Sequence, residues 1–581
     1  MRRWTRIVPI LLAAAVGIGL MSRPVLRGAE GAPSLEQGRR SPLSQFSSNY
    51  QLIGTIYNEI LRSYYQEVDA REVAVAGLKG MMRQLDPYSD FYVEEQDEGQ
   101  VADLDITTQG EYSGIGATIG RQGESLAIIA PMKGSPAERT GLQAGDRIIR
   151  IDGEPSRHLS TSKAASLIKG PEGSTVDLLI ERDGFPDPLE FTITRETIEV
   201  NDVSAAVFAA PGIAYIEIGR FTKNSGHFLV EAIDELEQEQ EVEGIVLDLR
   251  GNPGGLLDEA LAVAEPFLPD GEKVVYTRGR VRGMDQDLFT RESQRFSGRM
   301  VVLVNQASAS ASEIVAGAMQ DLDRAVVVGQ TTFGKGLVQT VAPLKENARL
   351  RLTTGEYFTP SGRSLQRPFV ENEMGHLTVA NPSAPDTADH PTFKSRGGRT
   401  VQGGGGVVPD IEAGGITGDM LLFDLKFRRG MFLRYVNHYV NTRGISEGAT
   451  VEVDEALVDD FRRWTESEGF TFETPTEMRL DDLKATAEAE GVSASLEEGL
   501  SALESGIDEA KDRMWSESGE KIVNELQREF ITRLRGYEQG QLTYMEHDPQ
   551  FQAAMQVISQ PKRYTDILSG TARRQGEDEN R

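Results

Sequence analysis

Apolar positions recur along this chain in distinct rhythms, and each rhythm predicts a different kind of element. In residues 41–100 the spacing is helical. Leu52, Ile56, Ile60 and Leu61 fall on one face, a second helical stretch covers 73–85, and Asp86-Pro87-Tyr88-Ser89-Asp90 has the composition of a turn. From 111 to 197 the pattern shortens to β-branched runs at 116–119, 126–129, 146–151, 176–181 and 189–194, separated by glycine turns. Helical pieces are predicted there at 136–140 and 160–168. Between 198 and 409 strands and helices alternate: strand-like runs at 213–218, 244–248, 273–276, 300–304, 325–328 and 349–354 frame helical patterns at 225–239, 257–267 and 310–322. Such alternation predicts an α/β layer fold with glycine-rich strand-to-helix turns. A Gly-, Pro- and Ser-rich stretch at 366–406 is too long for an ordinary connection and is expected to be mobile or functional.

After residue 418 the pattern is helical and acidic almost throughout. Leu496, Leu500, Leu503, Ile507, Ala510 and Met514 step by four and three, and Ile522, Leu526, Phe530 and Leu534 repeat the habit. A packed helical core is the expectation, with homo-oligomerisation or adaptor docking as the other use of such faces. The expected order is a targeting segment at 1–25, an N-terminal helical region at 41–100, a β-rich module at 101–197, an α/β core at 198–415 and an all-helical C-terminal extension at 416–581.

Arg2, Arg3 and Arg6 precede a mostly apolar run at 7–21, and polar residues follow from Ser22. This predicts an export signal, with the arginines held in the cytoplasm and the remaining chain sent across the membrane. The run is short for a span of about 20 residues, which favours a cleaved signal peptide. No clean small-x-small cleavage site follows it, so a membrane contact through an uncleaved anchor is the alternative.

Composition narrows the chemistry. The formal charge is -29, from 61 basic against 90 acidic residues, so no basic footprint is available and no nucleic-acid partner is expected. The absence of cysteine removes disulfides, thiolate metal sites and cysteine nucleophiles together. No two of the 6 histidines sit at ligand spacing, so neither a metal nor another cofactor is expected.

Three glycine- or serine-rich turns carry the candidate chemistry. The strand Val301-Val302-Leu303-Val304 runs into Asn305-Gln306-Ala307-Ser308-Ala309-Ser310-Ala311-Ser312-Glu313 and then a helix. A hydroxyl is thereby set at a helix N-terminus, where unpaired N–H groups and the helix dipole stabilise a developing oxyanion, although plain N-capping by serine is the simpler reading. Ser308, Ser310 and Ser312 remain equivalent at this level. In Phe333-Gly334-Lys335-Gly336-Leu337-Val338-Gln339 a lysine flanked by glycines can be approached closely and desolvated, which lowers its pKa. Moving it from about 10.4 to about 7.5 costs roughly 4 kcal/mol that the surrounding fold must supply. On a strand Lys335, Leu337 and Gln339 would share a face, letting Gln339 orient the ammonium. The third turn, Asp248-Leu249-Arg250-Gly251-Asn252-Pro253-Gly254-Gly255, lacks the lysine-serine ending of a phosphate loop and fits an oxyanion loop better.

With these motifs in place the sequence resembles the C-terminal processing peptidases, tail-specific serine peptidases with a serine-lysine dyad. The resemblance runs over about residues 45–415. The 305–313 segment looks like the family's nucleophile segment, which implies Ser310 as nucleophile. The 333–339 segment looks like its general-base segment, which implies Lys335 as base with Gln339 beside it. The 248–255 turn looks like its oxyanion strand-turn, which implies the N–H groups of Gly255 and Ala311 as donors. The β-rich module is similar to the PDZ domain these peptidases carry. Tyr112-Ser113-Gly114-Ile115-Gly116 stands at its carboxylate-binding loop, so Ser113, Gly114, Ile115 and Gly116 are the implied substrate-binding residues. Lys169, before Gly170-Pro171, stands where the family commonly has an arginine thought to couple the PDZ domain to the active site, and is the implied regulatory residue. Phe358-Thr359-Pro360-Ser361-Gly362-Arg363 and Gly406-Val407-Val408-Pro409-Asp410 are further landmarks of structural character.

The resemblance implies a multidomain α/β protein with a crotonase/ClpP-like peptidase core, and a serine endopeptidase of the bacterial periplasm or cell envelope. Its implied partners are protein or peptide substrates with apolar C-terminal tails. A Ser-His-Asp hydrolase would have to use His227, which stands in a polar helix start. A non-catalytic PDZ scaffold predicts losses at 310 or 335, and neither residue is lost. A crotonase-like acyl-CoA enzyme sits poorly with an export signal and a PDZ module.

Overall fold

The computed structural model describes residues 42–571 except 124, 346, 373–374, 382–389 and 415–419. The expected export segment at 1–25 and the expected 415/416 boundary lie outside the described residues. Among the described residues no helix is long and apolar enough to cross a membrane. The chain divides into two compact units, 1–74 and 75–581. In the first, helix Pro42–Ser63 carries Tyr50, Leu52, Ile53 and Ile56 as exposed side chains.

The second unit begins its β structure early. The Asp86–Asp90 segment, a turn by composition, leads directly into strand Asp90–Val93, which pairs antiparallel with the long strand Ala348–Phe358. Asp86 organises the turn: its Oδ1 accepts from Tyr88 N and Ser89 N, both at 2.8 Å, and its Oδ2 accepts from Ser89 Oγ at 2.7 Å. Strand Leu337–Pro343 pairs with the other edge of Ala348–Phe358, so residues 86–93 and 337–343 flank one strand.

The β-rich module is a sheet ordered Ala117–Gln122, Ser125–Pro131, Arg147–Ile151, Thr175–Glu181 and Leu189–Thr194, with helices Pro136–Arg139 and Thr161–Ile168. Period-two alternation along Thr175–Glu181 buries Val176, Leu178 and Ile180 against Ile128, Ile148 and Ile193. Strand Ala117–Gln122 is an edge of this sheet.

The central sheet is ordered Val203–Ala210, Ile213–Ile218, Gly244–Asp248, Arg299–Val304, Val326–Gly329 and Ile411–Glu412. The first pair is antiparallel and every later pair parallel. Every residue of Gly244–Asp248 is buried, as expected for a parallel strand covered on both faces. One face packs helices Ser225–Glu239, Leu257–Ala264 and Ala311–Asp321 around Ile216, Ile245, Leu247 and Val302. The opposite face, with Tyr215, Val246, Val301, Leu303 and Val328, is closed by Phe551, Ala554, Val557 and Ile558 of helix Pro549–Ile558 and by Tyr564.

The C-terminal helices therefore divide in two. Helices Met431–Arg443, Glu455–Ser467 and Gly519–Arg535 share a core of Phe432, Tyr435, Phe461, Ile522, Leu526 and Phe530, while residues 549–568 belong to the α/β layer. The helical bundle also touches the β-rich module: Asn441 Nδ2 donates to Asp183 O at 2.8 Å, and Arg533 Nη2 donates to Gln143 Oε1 at 3.2 Å. The described parts of 366–406 form two short hairpins, and Arg367 is buried with its guanidinium donating to Phe333 O at 3.0 Å, Thr332 O at 3.2 Å and Gly405 O at 2.6 Å. That stretch is tied to the lysine segment.

Candidate active site

Strand Arg299–Val304 ends at a turn that delivers three serines, and the fold separates them. Ser308 is fully buried, with Oγ donating to Leu249 O at 2.8 Å and accepting from Asn305 N at 3.0 Å. Ser312 is equally buried, with Oγ donating to Asn252 O at 3.0 Å. Both hydroxyls are spent on stitching the 305–313 segment to the 248–255 turn. Ser310 alone of the three lines a cavity of about 280 Å³. It occupies the N-cap position of helix Ala311–Asp321 with φ 55° and ψ −115°, a backbone state that costs a non-glycine residue about 1–3 kcal/mol. A serine held out on a strained strand-to-helix turn presents its side chain to the cavity rather than to the core.

The 248–255 turn packs directly on that serine. Gly254 has φ 93°, and a Cβ there would lie 2.6 Å from Ala309 O, 2.7 Å from Ser310 Cβ and 2.8 Å from Ala311 N. Asn252 builds the approach, since its Oδ1 accepts from Gly254 N at 2.8 Å, its Nδ2 donates to Ile218 O at 2.8 Å, and its carbonyl accepts from Ala309 N at 3.0 Å. Among the described residues neither Gly255 N–H nor Ala311 N–H has a protein acceptor, and both residues border the cavity of Ser310. Two free donors from separate turns can converge on one substrate oxygen.

Lys335 reaches the same cavity from the other side. Its ammonium lies 4.9 Å from the centre of the Tyr88 ring. Burial is the main cause that lowers its pKa to about 8, helped by Arg351 and opposed by Glu313 and Asp86. A lysine with that pKa holds a useful neutral fraction near pH 7. Replacing Tyr88 with alanine readmits water to the ammonium and is expected to move the rising limb of the pH–rate profile upward from about 8, because desolvation is the largest cause of the shift. A profile unchanged in Tyr88→Ala would mean that the ring does not shield the lysine.

Two buried residues hold Ser310 and Lys335 together through their backbones. The Glu313 carboxylate accepts from Ser310 N at 2.8 Å, Lys335 N at 2.9 Å, Gly334 N at 2.7 Å and Thr332 Oγ1 at 2.6 Å. Burial pushes its pKa up to about 7 against the pull of those donors. The buried Tyr357 hydroxyl donates to the carbonyls of both residues, that of Lys335 and that of Ser310, the latter at 3.3 Å. Sequence reading placed Glu313 only as the end of a motif and missed Tyr357, Tyr88, Asp86 and Arg351, because nothing local to their segments says that they meet.

Gln339 also lines the cavity, yet its amide Nε2 donates to Leu337 O at 3.3 Å and Thr353 Oγ1 at 3.5 Å. Lys335 lies before strand Leu337–Pro343 rather than on it, and the ladder shifts register between Val338 and Gln339. Strict alternation from 335 to 339 is therefore not the geometry adopted. His227 is an exposed side chain, with 64% of its surface accessible and Nε2 3.2 Å from Glu231, and it does not border the cavity.

In the β-rich module Ser113 and Gly114 belong to strand Glu111–Gly114, paired with Thr197 and Glu196 of strand Glu196–Glu199. Ile115 and Gly116 follow, and among the described residues their N–H groups have no protein acceptor. Gly116 has φ 73°, and a Cβ there would lie 2.3 Å from Ser135 Cβ, so only glycine fits. The loop adjoins the free edge strand Ala117–Gln122. Lys169, at the C-terminal end of helix Thr161–Ile168, stands 5.0 Å over the Tyr112 ring at the base of this loop, and burial lowers its pKa.

Comparison with known proteins agrees with this layout. Residues 212–374 match peptidase family S41, 128–182 match a PDZ domain, and 423–558 match the C-terminal helical domain of a probable PDZ-protease. A carboxy-terminal-processing protease of Bartonella bacilliformis is 35% identical over 357 residues, covering 60% of this chain and 78% of that protein. A carboxyl-terminal-processing protease of Synechocystis is 40% identical over 304 residues, covering 51% and 69% respectively. A carboxy-terminal processing protease of Bacillus subtilis is 31% identical over 328 residues, covering 56% and 69%. The chain is thus a serine peptidase of mixed α/β architecture that carries a PDZ domain and a C-terminal helical domain. It belongs to the carboxy-terminal processing proteases of peptidase family S41.

Proposed function

We propose that this protein is a tail-directed endopeptidase in which Ser310 is the nucleophile and Lys335 the general base. One observation carries the reading: Ser310 alone of the three serines lines a cavity that also holds a desolvated lysine and two unsatisfied N–H donors. Neutral Lys335 accepts the proton of the Ser310 hydroxyl as its oxygen attacks the scissile carbonyl. The oxyanion forms between the N–H groups of Gly255 and Ala311. The protonated lysine then gives its proton to the leaving amine, and the neutral lysine activates the water that hydrolyses the acyl-enzyme. Gln339 has a positioning role on the same cavity wall, beside Thr353 rather than through a direct bond to the ammonium.

The loop Ser113-Gly114-Ile115-Gly116 captures the substrate's C-terminal carboxylate, and the tail adds as a strand to the edge Ala117–Gln122. Lys169 couples that loop to the active site through Tyr112. The peptidase core, at 198–415, is of the crotonase/ClpP-like kind, with the PDZ domain at 101–197, a region at 41–100 that is helical except for strand Asp90–Val93, and the helical extension from 416. Substrates are exported proteins met in the periplasm or cell envelope, to which the 1–25 segment delivers the chain.

The test is degradation of an unstructured protein with and without an apolar C-terminal tail. Gly116→Ala forces a Cβ into Ser135 and is expected to raise KM for the tailed substrate about tenfold or more while leaving the tailless one unchanged. Indifference of both enzymes to the tail would remove the delivery role and leave the peptidase.

A further inference from the structure

The 248–255 turn is gripped from two directions. On the cavity side it is stitched to the nucleophile segment, with Gly251 N donating to Asn305 Oδ1 at 3.0 Å in addition to the Ser308 and Ser312 bonds. From across the sheet it is reached by the C-terminal helix Pro549–Ile558. Asp548 caps that helix, its Oδ1 accepting from Gln550 N at 2.9 Å and Phe551 N at 3.4 Å. The other carboxylate oxygen, Oδ2, accepts from Arg250 Nη1, and Gln550 Oε1 accepts from the same nitrogen at 3.1 Å. The remaining Arg250 donors go to Asp248, Nε at 3.0 and 2.9 Å and Nη2 at 2.6 Å. Asp248 in turn accepts from the Tyr215 hydroxyl at 2.9 Å, and the Tyr215 ring meets Phe551 edge-on at 5.8 Å. From one helix N-terminus, about 300 residues later in the chain, one contact thus runs directly to Arg250 and another runs through Tyr215 to Asp248, both in the turn.

We propose that Asp548 is a positioning residue for the oxyanion turn. Through Arg250 it fixes the course of 248–255 and hence the direction of the Gly255 N–H, which makes the last helices of the chain a working part of the peptidase core. The inference rests on reading Gly255 as an oxyanion donor. Aspartate does two jobs here, a helix cap and a charge partner, and they separate by substitution. Asparagine caps a helix as well as aspartate does but brings no charge to Arg250. The pair borders a cavity of about 960 Å³, and the Asp548 side chain is itself buried in that wall.

The experiment uses the full chain, with rates expressed per folded molecule, the folded fraction of each variant being taken from its thermal melt. Asp548→Asn is expected to lower kcat about tenfold or more, less than the 10²–10³ lost with an oxyanion donor itself, with KM within about twofold of wild type. Combining it with Arg250→Gln is expected to add little beyond Arg250→Gln alone. Wild-type kcat in Asp548→Asn, or a fully additive double variant, would overturn the proposal. Ser310→Ala runs in parallel. Activity surviving there would sink the reading of the site, whereas a dead Ser310→Ala beside an unaffected Asp548→Asn would sink this inference alone.

Discussion

Ser310→Ala is expected to abolish proteolysis, lowering kcat by about 10⁵-fold or more, and Lys335→Ala to lose nearly as much. The neighbouring serines cannot take over. Ser308 and Ser312 are fully buried with their hydroxyls committed to Leu249 O and Asn252 O, and freeing either one breaks the bond that seats the oxyanion turn. The double variant should be no worse than the worse single one, because nucleophile and base act as one unit. Neither change should unfold the protein: Ser310 keeps its strained φ as alanine, and Lys335 gives up an ammonium that burial already disfavours. The check is hydrolysis of an unstructured protein beside thermal melts of each variant. Melts close to wild type with activity lost is the expected pair of results, and residual turnover above about a hundredth of wild type in both variants would remove the dyad.

Glu313→Ala is expected to be the most damaging single change to stability near the site. It leaves the N–H groups of Ser310, Gly334 and Lys335 and the Thr332 hydroxyl without their acceptor inside the protein. Each buried donor left unpaired costs about 1–3 kcal/mol, and water entering the space recovers part of that, so a net loss of about 3–5 kcal/mol is expected. Activity falls as well, since the same carboxylate sets Ser310 and Lys335 at a fixed separation. Glu313→Gln retains one acceptor oxygen and should fall between alanine and wild type in both respects. Denaturant melts of the three proteins measure the order. An alanine variant within about 1 kcal/mol of wild type would mean that the carboxylate is not the anchor its four hydrogen bonds make it.

How much of this was legible beforehand depended on whether the signal was local. The strand-to-helix turns at 248–255 and 305–313 could be read from glycine, serine and apolar runs, because the chemistry of such a turn is written in the turn itself. Which of three serines faces substrate could not, because it depends on whether Leu249 O and Asn252 O are near enough to bind Ser308 and Ser312, some 60 residues apart in sequence. The desolvation of Lys335 was legible in direction from its glycine neighbours, whereas its agent, Tyr88, arrives through a strand pairing between 90–93 and 348–351 that no periodicity announces. The helical character of the chain after 418 was legible, but not that the partner of helix Pro549–Ile558 is the central sheet rather than the bundle before it. The π-face of one tyrosine, the carboxylate of Glu313 and the pairing of Asp548 with Arg250 are all consequences of tertiary packing.

The central claim is tested most directly by mapping the site of covalent modification as a function of pH. With a fluorophosphonate probe, Ser310 is expected to be the one labelled residue, at a rate that rises with pH and levels off above about 8, where Lys335 loses its proton. The labelling should be lost in Lys335→Ala. Modification of a different serine, or a Ser310 rate that is flat with pH and indifferent to Lys335, would contradict the serine-lysine assignment.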